Sequence, residues 1–200
     1  AELIVKKYNI PHISTGDILR EISKEDSEVG EYVRETLASG KLVKDEITYQ
    51  LIEERLKKDD CKDGYIIDGF PRNIEQAKIY EELLTKLNKD LGVVIFLDIP
   101  RQVALDRVLS RIVCPSCGTS FNLVEEALKP KKEGICDKCG SDLKVRSDDN
   151  SETFANRFDT YLNKNQSLID YYKEKDLLYV MENKIDPKEL FNDIKEVILW

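Results

Sequence analysis

Four cysteines in the second half of the chain constrain its fold more than any other feature. They form two Cys-x2-Cys pairs, Cys114 with Cys117 and Cys136 with Cys139, separated by eighteen residues. Two thiolates on one tight turn can bind the same metal ion, and a glycine follows each pair, where it permits the positive φ that closes such a turn. Four thiolates complete a tetrahedral shell, so the spacing predicts a structural zinc site without an open coordination position.

Three other interpretations of the cysteines compete with zinc: iron in the same cage, two disulfides, and four free thiols. Iron in the same sulfur cage remains an alternative, because tetrahedral thiolate ligation does not distinguish the two metals. Two disulfides are disfavoured in a chain with five cysteines and no sign of export. The fifth, Cys61, lies in a polar loop and is given no role.

The charge balance limits the kinds of ligand that the chain can bind. With a formal net charge of −8, a broad nucleic-acid surface is not expected, and phosphate partners must be concentrated locally. Only nine of the 31 basic residues are arginines, whose planar fork binds phosphate oxygens in pairs. The arginines are therefore the better site markers. No apolar stretch is long enough to span a bilayer and no signal-peptide layout is present, so a cytoplasmic location without membrane contact is predicted.

The order of predicted elements favours an α/β fold with a parallel sheet. Helices are predicted over residues 3–8, 17–25, 28–39, 45–57, 73–87, 101–111, 151–174 and 187–198, and strands over 10–13, 65–68, 92–98 and 177–181. Polar residues follow three of the strands, at 14–17, 68–72 and 98. Ligands of such sheets bind at the carboxyl ends of the strands, so these positions are candidate site residues.

Residues 65–76, Tyr65-Ile66-Ile67-Asp68-Gly69-Phe70-Pro71-Arg72-Asn73-Ile74-Glu75-Gln76, resemble the signature of the adenylate kinase family. Other segments resemble further motifs of that family in the same order: 11–17, 42–46, 106–111, and 146–150 with Arg157. Lys44 stands where a proline is usual, and Ser110 where a glycine is common. The resemblance covers essentially the whole chain and is closest to the long-lid, zinc-binding bacterial type.

The resemblance implies a division into three parts. The core would be a P-loop NTPase-like, doubly wound parallel sheet formed by residues 1–13, 44–111 and 149–200. A helical AMP-binding insertion would cover residues 14–43. A small zinc-ribbon lid would cover residues 112–148. A domain of about forty residues has little core, so the metal would supply much of its stability.

The resemblance also implies which residues bind AMP. The base and sugar would be held by Thr15, the backbone of Val43 and Gln76, with Gly69 allowing close approach of the ligand. Arg20 and Arg72 would bind the phosphate.

On the ATP side, the resemblance implies that Arg107 stacks on the base and that Arg111 contacts the phosphates. Arg111, Arg146 and Arg157, together with Arg72, would surround the transferring phosphoryl group. Asp68 would hold Mg²⁺ through water, and Asp148 would orient the arginines. The implied reaction is ATP + AMP = 2 ADP, carried out by a monomer. His12, the only histidine, is expected to be packed or hydrogen-bonded rather than to shuttle protons.

One expected motif is missing from the printed sequence. A P-loop, G-x-x-x-x-G-K-[ST], should cradle the ATP phosphates, but Gly40-Lys41 is followed by Leu42, and Glu35 stands where the first glycine should be. We therefore expect a further strand and loop before Ala1 in the natural protein, and a sheet without its central strand in this chain. Two alternatives to the enzyme follow: a nucleotide-binding fragment without catalysis, and a zinc-ribbon interaction module.

Overall fold

The computed structural model describes residues 1–182, 184 and 186–198. The other four positions, 183, 185, 199 and 200, belong to the predicted core segment 149–200 and lie outside the described residues. The helices are α1 (Glu2–Tyr8), α2 (Thr15–Ile22), α3 (Glu28–Ala38), α4 (Asp45–Leu56), α5 (Ile74–Lys86), α6 (Arg101–Leu109), α7 (Ser151–Glu174) and α8 (Pro187–Val197). The strands are β1 (His12–Ser14), β2 (Ile66–Asp68), β3 (Val94–Asp98), β4 (Arg111–Val113), β5 (Ser120–Asn122) and β6 (Leu178–Glu182).

Side-chain caps fix where several helices begin. Four of them start after a residue whose side chain accepts a hydrogen bond from the backbone N–H three positions on: Ser14 before α2, Ser27 before α3, Asn73 before α5 and Asn150 before α7. The predicted break between two helices at Ser27 is therefore confirmed. Helix α2 is shorter than predicted and ends at Ile22.

The core strands pair in parallel, which confirms the predicted α/β class. Strand β1 pairs with β2, and β3 pairs with β6. Within the part of the chain that the structure describes, no strand hydrogen-bonds β2 to β3, so the parallel strands form two separate two-stranded sheets. The interruption that the sequence predicts in the sheet is therefore present.

The register of β1 and β2 brings two of the predicted site segments together. Ser14 is paired with Asp68, so both strands end at the same edge. Thr15 and Gly69 follow immediately and are neighbours in space. Beneath them lies the main core cluster, in which Ile13, Phe70 and Tyr80 are buried.

Helix α6 ends two residues earlier than the sequence indicates. Helix α6 ends at Leu109, and Arg111, predicted as the last helical residue, is instead the first residue of β4. Strand β4 pairs antiparallel with β5, with Arg111 opposite Asn122. Asn122 also donates a hydrogen bond from Nδ2 to Ser110 Oγ at 2.9 Å, which fixes the corner between helix and hairpin. Pairing across the hairpin overrides the local helical pattern here.

Candidate functional site

One pocket contains all six residues that the sequence analysis assigns to AMP. The six are Thr15, Arg20, Val43, Gly69, Arg72 and Gln76, and Arg157 also lines the pocket. The pocket lies at the edge of the sheet where β1 and β2 end, with the loop between α3 and α4 on its other side. The residues implied by the resemblance are thus close neighbours, although up to 61 positions separate them in the sequence (Thr15 to Gln76).

Thr15, Gly69 and Arg72 form a tightly packed floor. The Thr15 hydroxyl donates to the backbone oxygens of Asp68 and Gly69, at 3.1 and 3.0 Å. Arg72 Nε donates to the Gly69 oxygen at 2.6 Å. Gly69 has a φ of 77°, and a Cβ there would lie 2.7 Å from Thr15 Oγ1 and 2.9 Å from Arg72 Nη2. Only glycine permits this approach, so the floor depends on it.

Gln76 is fixed at both ends of its side-chain amide. Its Oε1 accepts from the backbone N–H of Arg72 at 2.8 Å, and its Nε2 donates to Asp45 Oδ1 at 2.6 Å. The residue is only 4 % exposed, yet it lines the pocket. Asp45, the first residue of α4, was not singled out by the sequence analysis.

Five arginines converge on the pocket and on the lid strand beside it. The pKa of Arg72 is lowered, first by loss of hydration and then by the positive charges of Arg157 and Arg20. The pKa of Arg146 is likewise lowered by burial and by the charges of Arg20 and Arg111. Arg20 thus lowers the pKa of both Arg72 and Arg146. A bound polyanion would relieve the repulsion among these guanidinium groups.

Three aspartates hold these arginines in place. Arg157 Nη2 lies 2.6 Å from Asp148 Oδ2, and Arg20 Nη1 lies 4.0 Å from the same oxygen. Asp148 thus contacts Arg157, one of the closing arginines that it is predicted to orient, and also lies near Arg20. The hydrogen bond with Arg157 and the charges of Arg157 and Arg20 outweigh burial and lower the pKa of this carboxyl.

The other two aspartates were missed by the sequence analysis. Asp149 pairs with Arg111, whose Nε lies 2.8 Å from Oδ2, and the Asp149 side chain is fully buried. Asp17 pairs with Arg20 and lies 3.6 Å from Arg146 Nη2. The available signals were that Asp149 lies in the motif 146–150, which contains Arg146, and that Asp17 lies in the polar stretch 14–17 after the first strand.

Arg107 lies apart from the pocket. Its Nε donates to Glu125 Oε1 at 2.7 Å, and both side chains are mostly buried between α6 and the lid. The other carboxylate oxygen of Glu125 is buried and has no hydrogen-bond partner among the residues that the structure describes. The structure therefore joins Arg107 to a lid residue that the sequence analysis did not consider.

Asp68 and His12 form a pair at the ends of β2 and β1. His12 Nε2 lies 3.5 Å from Asp68 Oδ2, which agrees with the expectation of a hydrogen-bonded histidine. The hydrogen bond from His12 is the main reason why the pKa of Asp68 is lowered. The Asp68 side chain remains 66 % exposed, so its carboxylate is open to solvent.

The four paired cysteines gather at one point in the lid. Their sulfur atoms all lie within 4.8 Å of one another. The Sγ atoms of Cys114 and Cys139 are 3.4 Å apart, and those of Cys117 and Cys136 are 3.6 Å apart. Four thiolates about 2.3 Å from a central ion would be separated by similar distances, so the cluster fits a tetrahedral metal. The pKa values of two of these thiols shift in opposite directions: the Thr119 hydroxyl lowers that of Cys117, whereas burial raises that of Cys114.

Comparison with known proteins agrees with this geometry. A sequence model described as adenylate kinase matches residues 1–177. The adenylate kinase of Geobacillus sp. (strain WCH70) is 40% identical over 198 residues, which are 99% of this chain and 91% of that protein. The chain belongs to the adenylate kinase family. The adenylate kinases of Caldicellulosiruptor bescii and Oceanobacillus iheyensis are each 42% identical over 198 residues, which cover 99% of this chain and 90% and 91% of the relatives.

Membership of the adenylate kinase family makes the chain a nucleoside monophosphate kinase by class, as the resemblance implied. The α/β fold and the cysteine cluster agree with that class. None of the helices described is both long and apolar enough to cross a membrane. The roles of individual site residues and the three domain ranges stay predictions.

Proposed function

We propose that this protein catalyses reversible, Mg²⁺-dependent phosphoryl transfer between ATP and AMP, forming two ADP. The observation that carries the proposal is the convergence of Arg20, Arg72 and Arg157 on one pocket, with Arg111 and Arg146 beside it. The chain has a net charge of −8 and only nine arginines, and five of the nine lie in or beside this pocket. A cluster of this kind suits the many oxygens of two nucleotide phosphate chains.

In this proposal the pocket binds AMP. Thr15, Gly69, Val43 and Gln76 surround the base and sugar, and Arg20 and Arg72 bind the phosphate. Thr15 and Gln76 offer hydrogen bonds, whereas Val43 offers a buried apolar wall and its backbone. The attacking phosphate oxygen of AMP would then be held toward the lid arginines.

The chain's contribution to the chemistry is positioning and neutralisation of charge. Phosphoryl transfer proceeds through a loose transition state, so in-line placement and cationic groups around the equatorial oxygens supply most of the catalysis. Arg111, Arg146 and Arg157 would take that role, which the ion pairs of Arg111 with Asp149, Arg157 with Asp148 and Arg146 with Asp17 support. Arg107 would stack on the ATP base. Mg²⁺ would neutralise the ATP phosphates, and the exposed Asp68 carboxylate is the candidate to bind its water shell.

The proposal assigns the three parts of the chain different tasks. Residues 14–43 bind AMP, residues 112–148 close over ATP, and residues 1–13, 44–111 and 149–200 form the core between them. Closure excludes water, which would otherwise hydrolyse ATP. Zinc at Cys114, Cys117, Cys136 and Cys139 would hold the lid in shape without taking part in the chemistry. We also propose that the enzyme is a cytoplasmic monomer.

A coupled assay for ADP formed from ATP and AMP tests this function. It should be run on the chain as given and on one that also carries the strand and P-loop expected before residue 1. Mg²⁺-dependent turnover with AMP, and much slower turnover with UMP or CMP, is the expected result. Tight nucleotide binding without turnover in either chain would instead support the non-catalytic alternative, and no nucleotide binding would contradict both.

The metal requires a separate measurement. Elemental analysis of protein purified without added metal should give about one equivalent of zinc. One equivalent of iron would support the alternative metal in the same cage, and less than half an equivalent of either would contradict a structural site.

A further inference from the structure

We propose that Asp45 sets the base specificity of the pocket by fixing the orientation of the Gln76 amide. This inference rests on the proposed function, in which Gln76 faces the base of the nucleoside monophosphate. Asp45 does not line the pocket, so it would act through Gln76 as a positioning residue.

The two ends of a glutamine amide are nearly identical in shape, but one accepts hydrogen bonds and the other donates them. Two neighbours decide between the two orientations of Gln76. The backbone N–H of Arg72, which can only donate, lies 2.8 Å from Oε1, and the carboxylate of Asp45, which can only accept, lies 2.6 Å from Nε2. Rotating the amide by 180° would put oxygen against the carboxylate and N–H against N–H. Both neighbours therefore favour one orientation.

Asp45 is itself held in position by a second contact. Its Oδ2 accepts from Asn73 Nδ2 at 3.4 Å, and Asn73 caps α5 by accepting from the backbone N–H of Gln76. Asp45 also occupies the first turn of α4, where the helix dipole favours a negative charge. The carboxylate is thus tied to the start of two helices, one of which carries Gln76.

With both neighbours satisfied, Gln76 has one N–H and one lone pair left for a ligand. Adenine presents an amino group at C6 and an unprotonated N1, whereas hypoxanthine and guanine present an oxygen at C6 and a protonated N1. A fixed amide complements only one of these patterns for a given base orientation. A freely rotating amide would complement both. Fixing Gln76 therefore converts a general hydrogen-bonding group into one that selects a 6-aminopurine.

The test compares AMP with IMP, which differs from it only in the C6 substituent and the N1 proton. In Asp45→Asn, one of the two acceptor oxygens becomes an NH2 group, so the side chain can no longer accept from both Asn73 and Gln76, and whenever the NH2 group faces Gln76 it favours the rotated orientation. The ratio of kcat/KM for AMP to that for IMP should fall about tenfold, equivalent to about 1.4 kcal/mol. Dissociation constants measured by calorimetry should shift in the same sense. Glu46→Gln, which removes a neighbouring exposed charge on the same helix, should leave the ratio unchanged.

The outcomes are separable. If the unmodified full-length protein does not phosphorylate AMP, the proposed function fails. If it does, and the ratio in Asp45→Asn stays within twofold of the parent's, the role of Asp45 is wrong. An equal loss for AMP and IMP would show a merely structural role and would also overturn the inference.

A second measurement needs no variant and so does not depend on whether Asp45→Asn folds. NMR of the unmodified protein should show a through-hydrogen-bond coupling between Nε2 of Gln76 and the carboxyl carbon of Asp45. The Gln76 amide hydrogens should also exchange with water far more slowly than those of the exposed Gln50. Equal exchange rates and no coupling would contradict the proposal.

Discussion

The pocket rests on a main core cluster of eight buried residues, whereas the lid hairpin packs around four, two of which are Cys114 and Cys136. The main cluster draws on strands and helices from several parts of the chain. The lid cluster adds only Ile112 and Phe121 as buried apolar side chains. A core this small cannot hold a fold by burial alone. The comparison indicates that the pocket is held by packing, and it supports the proposal that a metal at the four cysteines holds the lid.

Among the pocket arginines, Arg72 differs in a similar way from the arginines of the lid, whereas Arg20 and Arg157 are paired with aspartates. Arg72, in the pocket, donates to the backbone oxygen of Gly69 and lies among other positive charges. Arg107 and Arg111, at the lid, are each paired with a carboxylate, Glu125 and Asp149. A phosphate can therefore bind Arg72 without displacing an acid. At the lid, the acids position the cations before the ligand arrives.

Removing the metal should have the largest effect and should divide the two regions most clearly. We expect a chelator, or Cys136→Ser, to lower turnover about a hundredfold, because a disordered lid misplaces the phosphoryl group. Limited proteolysis should cut within residues 112–148. AMP affinity, measured by calorimetry, should change less than twofold. Cys61→Ser, which alters the buried cysteine of the main core, should keep the full metal content. Parallel loss of AMP binding would contradict the separation of pocket and lid.

Arg72→Lys should have the next largest effect, and it should affect the pocket rather than the lid. Lysine cannot donate to Gly69 and to a phosphate in the same fork, so AMP affinity should fall about thirtyfold, or about 2 kcal/mol. Metal content and the resistance of the lid to proteolysis should not change. Arg34→Lys is the matched control. Arg34 donates to the backbone oxygens of Ser23 and Glu25, which precede α3, and it does not line the pocket. A similar loss in both variants would show a general charge effect instead.

The parts that the sequence predicts well are those set by local spacing. The cysteine pairs, the capped helix starts and the strand ends beside Thr15 and Asp68 all follow from residues a few positions apart. The predicted AMP residues also share one pocket, because parallel register brings two strand ends to the same edge.

The partners of the site residues could not be predicted in this way. Asp45 lies 31 positions from Gln76, and Asp149 lies 38 positions from Arg111. Their positions in the segments 42–46 and 146–150 do not show which distant residue each acid contacts. Arg111 was assigned to a helix for a related reason, since its strand partner Asn122 is eleven positions away across a turn. Long-range pairing decides these positions, and one sequence does not reveal it.

Asp149→Asn tests whether the lid-side acids position the arginines. Although burial lowers it, the pKa of Arg111 is raised by its hydrogen bond and charge interaction with Asp149. Losing the carboxylate weakens that hold, so we expect turnover to fall about tenfold, the effect of roughly 1.4 kcal/mol. AMP affinity should stay within twofold. The exposed Asp142 offers a control in Asp142→Asn. Unchanged turnover would show that Arg111 is placed by the hairpin backbone alone.

Glu125→Gln should have the smallest effect of these variants. It should separate the ATP side of the site from the AMP side. Glutamine can still accept a hydrogen bond from Arg107 Nε, but the ion pair is lost and Arg107 is held less firmly. Because the hydrogen bond is kept and only the charge interaction weakens, KM for ATP should rise about threefold, roughly 0.6 kcal/mol, while KM for AMP stays the same. The next residue, Glu126, forms an exposed ion pair with Lys129. Glu126→Gln breaks that pair and should change neither the KM for ATP nor the KM for AMP. A rise in KM for AMP would mean that Glu125 supports the whole molecule. A change confined to ATP would instead show that the acids of the lid act on the ATP side only, leaving the pocket to Asp45, Gln76 and Arg72.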